Sequence, residues 1–143
     1  MDSSQSLSLL EVRKTMSAAP QAVFDALTQP EQMNQWFFAM EEGSAQTEVD
    51  LQTGGKYSVA MINKDGETVA TPYGEFLEID PPHKLSMTWI TDGFVEHSVL
   101  TFEINEIDGG SEVTIRHELP APAIEPHRGG WTTCLEHLSS ITK

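Results

Sequence analysis

Gly74-Glu75-Phe76-Leu77-Glu78-Ile79-Asp80-Pro81-Pro82-His83-Lys84-Leu85-Ser86-Met87-Thr88-Trp89 is the stretch that decides the fold. A strand stops at two prolines, which have no backbone donor for a sheet ladder, and the chain then resumes alternating. Alternation with a period of two marks a strand with one buried face. Leu85, Met87 and Trp89 share that face on the second strand.

Upstream, Gly54-Gly55-Lys56-Tyr57 opens a strand in which Tyr57, Val59 and Met61 alternate with Ser58 and Ala60. Asn63-Lys64-Asp65-Gly66 reads as a hairpin turn, with glycine where a positive φ is needed. The return strand is expected from Glu67 to Ile79. Downstream, Asp92-Gly93 is a second turn signal, and Leu100, Phe102 and Ile104 share a face. Asp108-Gly109-Gly110 turns into a last strand with Val113, Ile115, His117 and Leu119 on one side. Ser44 to Leu119 is therefore an antiparallel meander in which each strand has one apolar face.

The ends complete an α+β plan. Leu7 to Met16 alternates well enough for a first strand, and Ala19-Pro20 introduces a short helix from Gln21 to Leu27. Pro30 then opens a second short helix through Trp36. Two helices after strand one carry the chain from one edge of the sheet to the other. After Pro120-Ala121-Pro122 a helix is expected from Glu125 to Ile141, with Trp131, Leu135, Leu138 and Ile141 on one stripe. Gly129-Gly130 inside it costs about 1 kcal/mol each relative to alanine. Either something approaches these glycines closely, or the helix starts later.

Composition bounds the function. At 143 residues, with 38% hydrophobic and 21% charged content, the chain is expected to form one globular domain over residues 7–143. Residues 1–6 are polar and expected to be disordered. No apolar run approaches the roughly 18 residues of a membrane span. The N-terminus lacks the basic and apolar blocks of a secretion signal, so a cytoplasmic location is expected. Cys134 is the only cysteine, which excludes an intramolecular disulfide and fits a reducing compartment. The net charge of −14 repels phosphate backbones and anionic headgroups, which argues against nucleic-acid binding and membrane insertion.

Taken in order, Val23-Phe24-Asp25-Ala26-Leu27-Thr28, Pro30-Glu31, Trp36, Gly54-Gly55-Lys56-Tyr57, Gly74, Pro81-Pro82, Leu85 and Thr88-Trp89 form a recognisable pattern. His127-Arg128-Gly129-Gly130-Trp131 and Leu135-Glu136-His137-Leu138 close it. The chain resembles the START-like superfamily (SRPBCC, the birch-pollen-allergen fold). More narrowly, it looks like the family of the activator of heat shock protein 90 ATPase C-terminal domain. The resemblance spans roughly residues 9 to 142. It implies a helix-grip fold: a curved, seven-stranded antiparallel sheet wrapped around a long C-terminal helix, with a cavity beneath the helix. It implies no single activity, since members include lipid carriers, polyketide cyclases and chaperone cofactors. A second tryptophan often follows the first in this family, whereas here Trp36 is followed by Phe37-Phe38.

Trp36, Tyr57, Met61, Met87, Trp89, Phe102, His117, Trp131 and Leu135 are the candidate ligand-binding residues, on inward faces of sheet and helix. The same side chains serve a solid core or the wall of a hollow, and pockets of this kind are mainly apolar with a few polar groups. His117 is the candidate general base, with Glu75 on a neighbouring strand as its orienting partner. His83, His97, His127 and His137 are expected at exposed edges. Cys134 reads as a small buried hydrophobe. No metal-ligand spacing occurs, Gly54-Gly55 precedes a strand rather than a helix, and no cofactor is expected. The leading functional expectation is binding of a lipid, fatty acid or aromatic metabolite. An enzyme acting on a hydrophobic substrate through His117 is the alternative. A chaperone partner, with the chain as ATPase co-regulator, ranks third, because the activator's separate N-terminal domain has no room here.

Overall fold

The alternating stretch around the paired prolines forms two antiparallel strands, β5 (Tyr73–Asp80) and β6 (Lys84–Thr88), in a computed structural model that describes residues 7–93, 95–96 and 98–142. The expected looseness of residues 1–6 and the position of His97 lie outside the described residues. The chain begins with β1 (Leu7–Met16), α1 (Pro20–Thr28), α2 (Pro30–Met33), β2 (Gly43–Val49), β3 (Lys56–Asn63) and β4 (Thr68–Ala70). After β5 and β6 come β7 (Val99–Ile107), β8 (Gly110–Pro120) and α3 (Ala121–Ile141). All pairings are antiparallel, in the order β1-β8-β7-β6-β5-β3-β2, with β4 off this path against β3. β1 and β2 are the opposite edges, and α1 and α2 connect them as expected. The sheet curls around α3 as a helix-grip fold.

Proline placement accounts for two of the differences from the sequence reading. The return strand is broken into β4 and β5 around Thr71-Pro72, where Pro72 offers no amide and instead its carbonyl accepts Val59 N–H at 2.9 Å. The short β4 makes eight strands where seven were expected. α2 ends at Met33, and turns carry the chain on to Trp36. α3 begins at Ala121, four residues earlier than the pattern suggested, because Pro122 sits in the first turn, where helix amides have no partner to lose. Pro126 lies inside the helix.

The core fills the space between the curled sheet and α3. Leu10, Leu85, Leu100, Phe102, Ile104, Ile115, Leu119, Leu135 and Leu138 are fully buried there. Trp36 stacks on Phe37 at 4.4 Å and meets Phe102 edge-on at 6.2 Å. Its indole N–H donates to Ala26 O at 2.7 Å, which ties the turn after α2 back to α1. Among the described residues no helix is long and apolar enough to cross a membrane.

The two glycines of α3 separate cleanly. A Cβ on Gly130 would lie 3.2 Å from Ala39 Cβ, so a close approach accounts for that one; a Cβ on Gly129 would meet nothing within 4 Å. We predict that Gly129→Ala stabilises the protein by about 0.5–1 kcal/mol, since alanine loses less conformational freedom in a helix. Leu138→Ala should cost about 2–5 kcal/mol through lost burial and a residual cavity. Urea unfolding reads both. A neutral Leu138→Ala is incompatible with the packing described.

Candidate functional site

Trp89 follows β6, held in line by its own N–H to Ser98 O at 3.0 Å. Its indole lies near-parallel to Phe37, 6.0 Å away, and makes angled contacts with His117 (5.3 Å), Trp131 (5.3 Å) and His127 (6.3 Å). Trp131 and His127 come from α3, one helical turn apart, so helix and sheet meet here through rings. Beside them opens a cavity of about 190 Å³. Its sheet side is Met61, Ala70, Pro72, Trp89 and Thr91; its helix side is Pro126, His127, Gly130, Trp131 and Cys134, with Ala39 closing the rim. Gly130 lets the chain at Ala39 come close without filling the space.

His117, on β8, lies under this wall with no exposed surface. Trp131 Nε1–H donates to His117 Nδ1 at 3.0 Å, and an indole can only donate, so Nδ1 carries no proton. The proton is on Nε2, 3.0 Å from Ser98 Oγ, and the Ser98 hydroxyl in turn donates to Trp89 O at 2.9 Å. Burial, with a smaller contribution from nearby His127, pushes the His117 pKa down to about 3. This corrects the expectation of a general base. The acceptor lone pair is occupied, the ring is sealed from solvent, and Glu75 is exposed on β5, with β6 and β7 intervening. The orienting partners are Trp131 and Ser98.

Of the expected ligand-binding residues, Met61, Trp89 and Trp131 are in the cavity wall. Trp36, Tyr57, Met87, Phe102, His117 and Leu135 are buried in the core away from it. Tyr57 donates its hydroxyl to Thr88 O at 2.6 Å, and burial raises its pKa, so it remains a phenol. Sequence reasoning missed Ala39, Ala70, Pro72, Thr91, Pro126, His127, Gly130 and Cys134 as wall residues. Gly130, a glycine inside a helix pattern, and Cys134, a small residue near the helix stripe, carried a signal. His127 and His137 are half-buried rather than exposed: His127 donates Nδ1–H to Ala123 O at 2.9 Å, and His137 donates Nε2–H to Met40 O at 2.8 Å. His83 is exposed. Cys134 is buried as expected; its thiol donates to Phe38 O at 3.2 Å, and burial raises its pKa, which keeps it protonated and un-nucleophilic. Among the described residues no group of three or more His, Cys, Asp or Glu could hold a metal ion.

The buried imidazole gives a pH prediction. Unfolded His117 gains a proton below its ordinary value of 6.5, whereas the folded form resists until about 3. Its contribution is thus complete above 6.5 and is lost as the pH falls through that window. The slope from this one proton is about 1.4 kcal/mol per pH unit. Urea titrations of wild type and His117→Gln should differ by that slope in the window; equal slopes would place a charged imidazole in the fold.

Comparison with known proteins agrees with this architecture. Residues 17–143 match the family described as Activator of Hsp90 ATPase homolog 1-like protein. No curated protein matches by sequence. Protein CV1439 from Chromobacterium violaceum is similar in structure, with a TM-score of 0.81 and 21% identity over 94% of this chain and 96% of that one. An AHSA1-like protein from Aeromonas hydrophila aligns with a TM-score of 0.80 and 20% identity over 93% and 90%. CalU16 from Micromonospora echinospora aligns with a TM-score of 0.74 and 19% identity over 98% and 87%. At these identities the likeness is one of fold. With the family match covering residues 17–143, the chain belongs to the activator of Hsp90 ATPase homolog 1-like family, within the START-like superfamily.

Proposed function

We propose that the protein binds a small hydrophobic or amphipathic molecule in the cavity between the sheet and α3. The observation that carries this reading is a hollow of about 190 Å³ between the sheet and α3, walled by Met61, Trp89 and Trp131. Apolar walls with a few polar groups are the usual make-up of small-molecule sites. The START-like fold commonly encloses hydrophobic ligands, which supports the same reading. Catalysis through His117 has no support in the geometry, because both ring nitrogens are committed to Trp131 and Ser98. The family's name refers to a chaperone ATPase, and no feature of the site favours that reading.

NMR titration against a panel of aromatic and aliphatic compounds tests the proposal. Shifts should centre on Met61, Trp89 and Trp131, and leave Tyr57 and Met87 nearly still. Ala70→Leu, which adds bulk at the partly exposed rim, should weaken binding with little loss of stability. A panel in which nothing perturbs the wall residues, or in which Ala70→Leu binds as well as wild type, defeats the proposal.

A further inference from the structure

The wall of the cavity carries no full charge. Among the described residues it contains no Lys, Arg, Asp or Glu. Its ionisable groups are His127 and Cys134. Burial lowers the His127 pKa, which leaves the ring neutral at pH 7, and burial raises that of Cys134, whose thiol stays protonated. Arg128 follows His127 on α3, but it is exposed, lies outside the wall, and donates to Glu125 Oε2 at 3.3 Å. A carboxylate or phosphate head in the hollow would therefore be stripped of water with no cation to meet it. The net charge of −14 adds a long-range field that also opposes an anion.

Size is the second limit. For scale, an engineered apolar cavity of about 150 Å³ takes up benzene. In proportion, the hollow here, at about 190 Å³, holds roughly eight non-hydrogen atoms. On its ring side it ends against packed side chains. Phe37 backs both tryptophans, 6.0 Å from Trp89 and 5.6 Å from Trp131, and His117 lies under them with no exposed surface. A long acyl chain has nowhere to continue in that direction.

We infer that the site takes an uncharged molecule of single-ring size and discriminates against carboxylates and long acyl chains. This rests on the ligand-binding reading above and narrows it away from fatty acids and other anionic lipids, toward small cyclic metabolites. Selection works by exclusion. Lost hydration penalises a charge, and the want of volume penalises length, so no particular polar contact is needed.

Acetophenone and benzoate make the test, because they match in shape and differ by a methyl group against an anionic oxygen. At pH 7 the wild-type protein should bind the ketone at least about tenfold more tightly, since only the acid must shed water from a charge. Hexanophenone carries the same ring and carbonyl on a longer tail. A channel that buried the tail would gain roughly fourfold for each added methylene, whereas this hollow should give a total gain of no more than about threefold. NMR shifts at Met61, Trp89 and Trp131 locate the binding. Benzoate within about tenfold of acetophenone, or a larger gain for hexanophenone, overturns the inference and leaves the binding proposal standing. Decanoate that shifts the wall resonances where acetophenone does not has the same effect. If none of these compounds moves the wall, the proposal beneath the inference falls with it.

Discussion

The hydrogen bond from Trp131 Nε1–H to His117 Nδ1 joins α3 to β8 inside the core, and much of the structure follows from it. A helix held only by apolar contact can rotate or slide at modest cost, whereas a buried donor and acceptor must meet in one geometry. Once Trp131 faces β8, residues three, four and seven positions on, Cys134, Leu135 and Leu138, turn toward the sheet by helical spacing, and all are buried. On the sheet side the same bond fixes the tautomer of His117. That in turn orients Ser98, whose hydroxyl reaches back to Trp89 O. A single relay thus sets the helix face, the histidine's proton and the position of the cavity's ring wall.

How much of this could be read in advance depended on the range of the cause. Strand faces were legible, because alternation is local: Leu85, Met87 and Trp89, and Val113, Ile115 and His117, share buried sides as their spacing required. Boundaries were less so, and two of the differences turn on a proline. Pro81-Pro82 ends a strand, Pro72 splits one, and Pro122 starts a helix. The residue is the same; whether its missing amide matters depends on which neighbour would have used it. Sheet order was the other limit. Glu75 reads as a neighbour of His117 only if sequence proximity of strands is mistaken for pairing, and β6 and β7 lie between them.

The candidate site was legible in character but not in membership. Tyr57 and Met61 share a face of β3, four residues apart, and periodicity treats them alike. Yet Tyr57 packs against Phe76 and bonds Thr88 O, while Met61 reaches the cavity. Period two tells which side of a sheet a residue takes. It does not tell where along the strand the helix stops covering that side, which curvature and the position of α3 decide. Much of the remaining wall is small, with Ala39, Ala70, Pro72 and Gly130 among it. Small side chains leave space by what they lack, so no pattern in the sequence announces them.

That division of the wall has a consequence for the relation between stability and recognition. Trp89 and Trp131 belong to both core and cavity: each packs against Phe37 on one side and faces the hollow on another. Under the ligand-binding proposal, substitutions there change folding and binding together. The small residues on the opposite side, Ala39 and Ala70, are exposed or half-exposed and contribute little to the core. The cavity is therefore rigid on its ring side and adjustable on its rim. Under the ligand-binding proposal, rings whose orientation the relay fixes form a wall of set shape from which a bound molecule cannot recruit a compensating movement. In that proposal size selection falls to the small rim residues, which can change without disturbing the bond between α3 and the sheet.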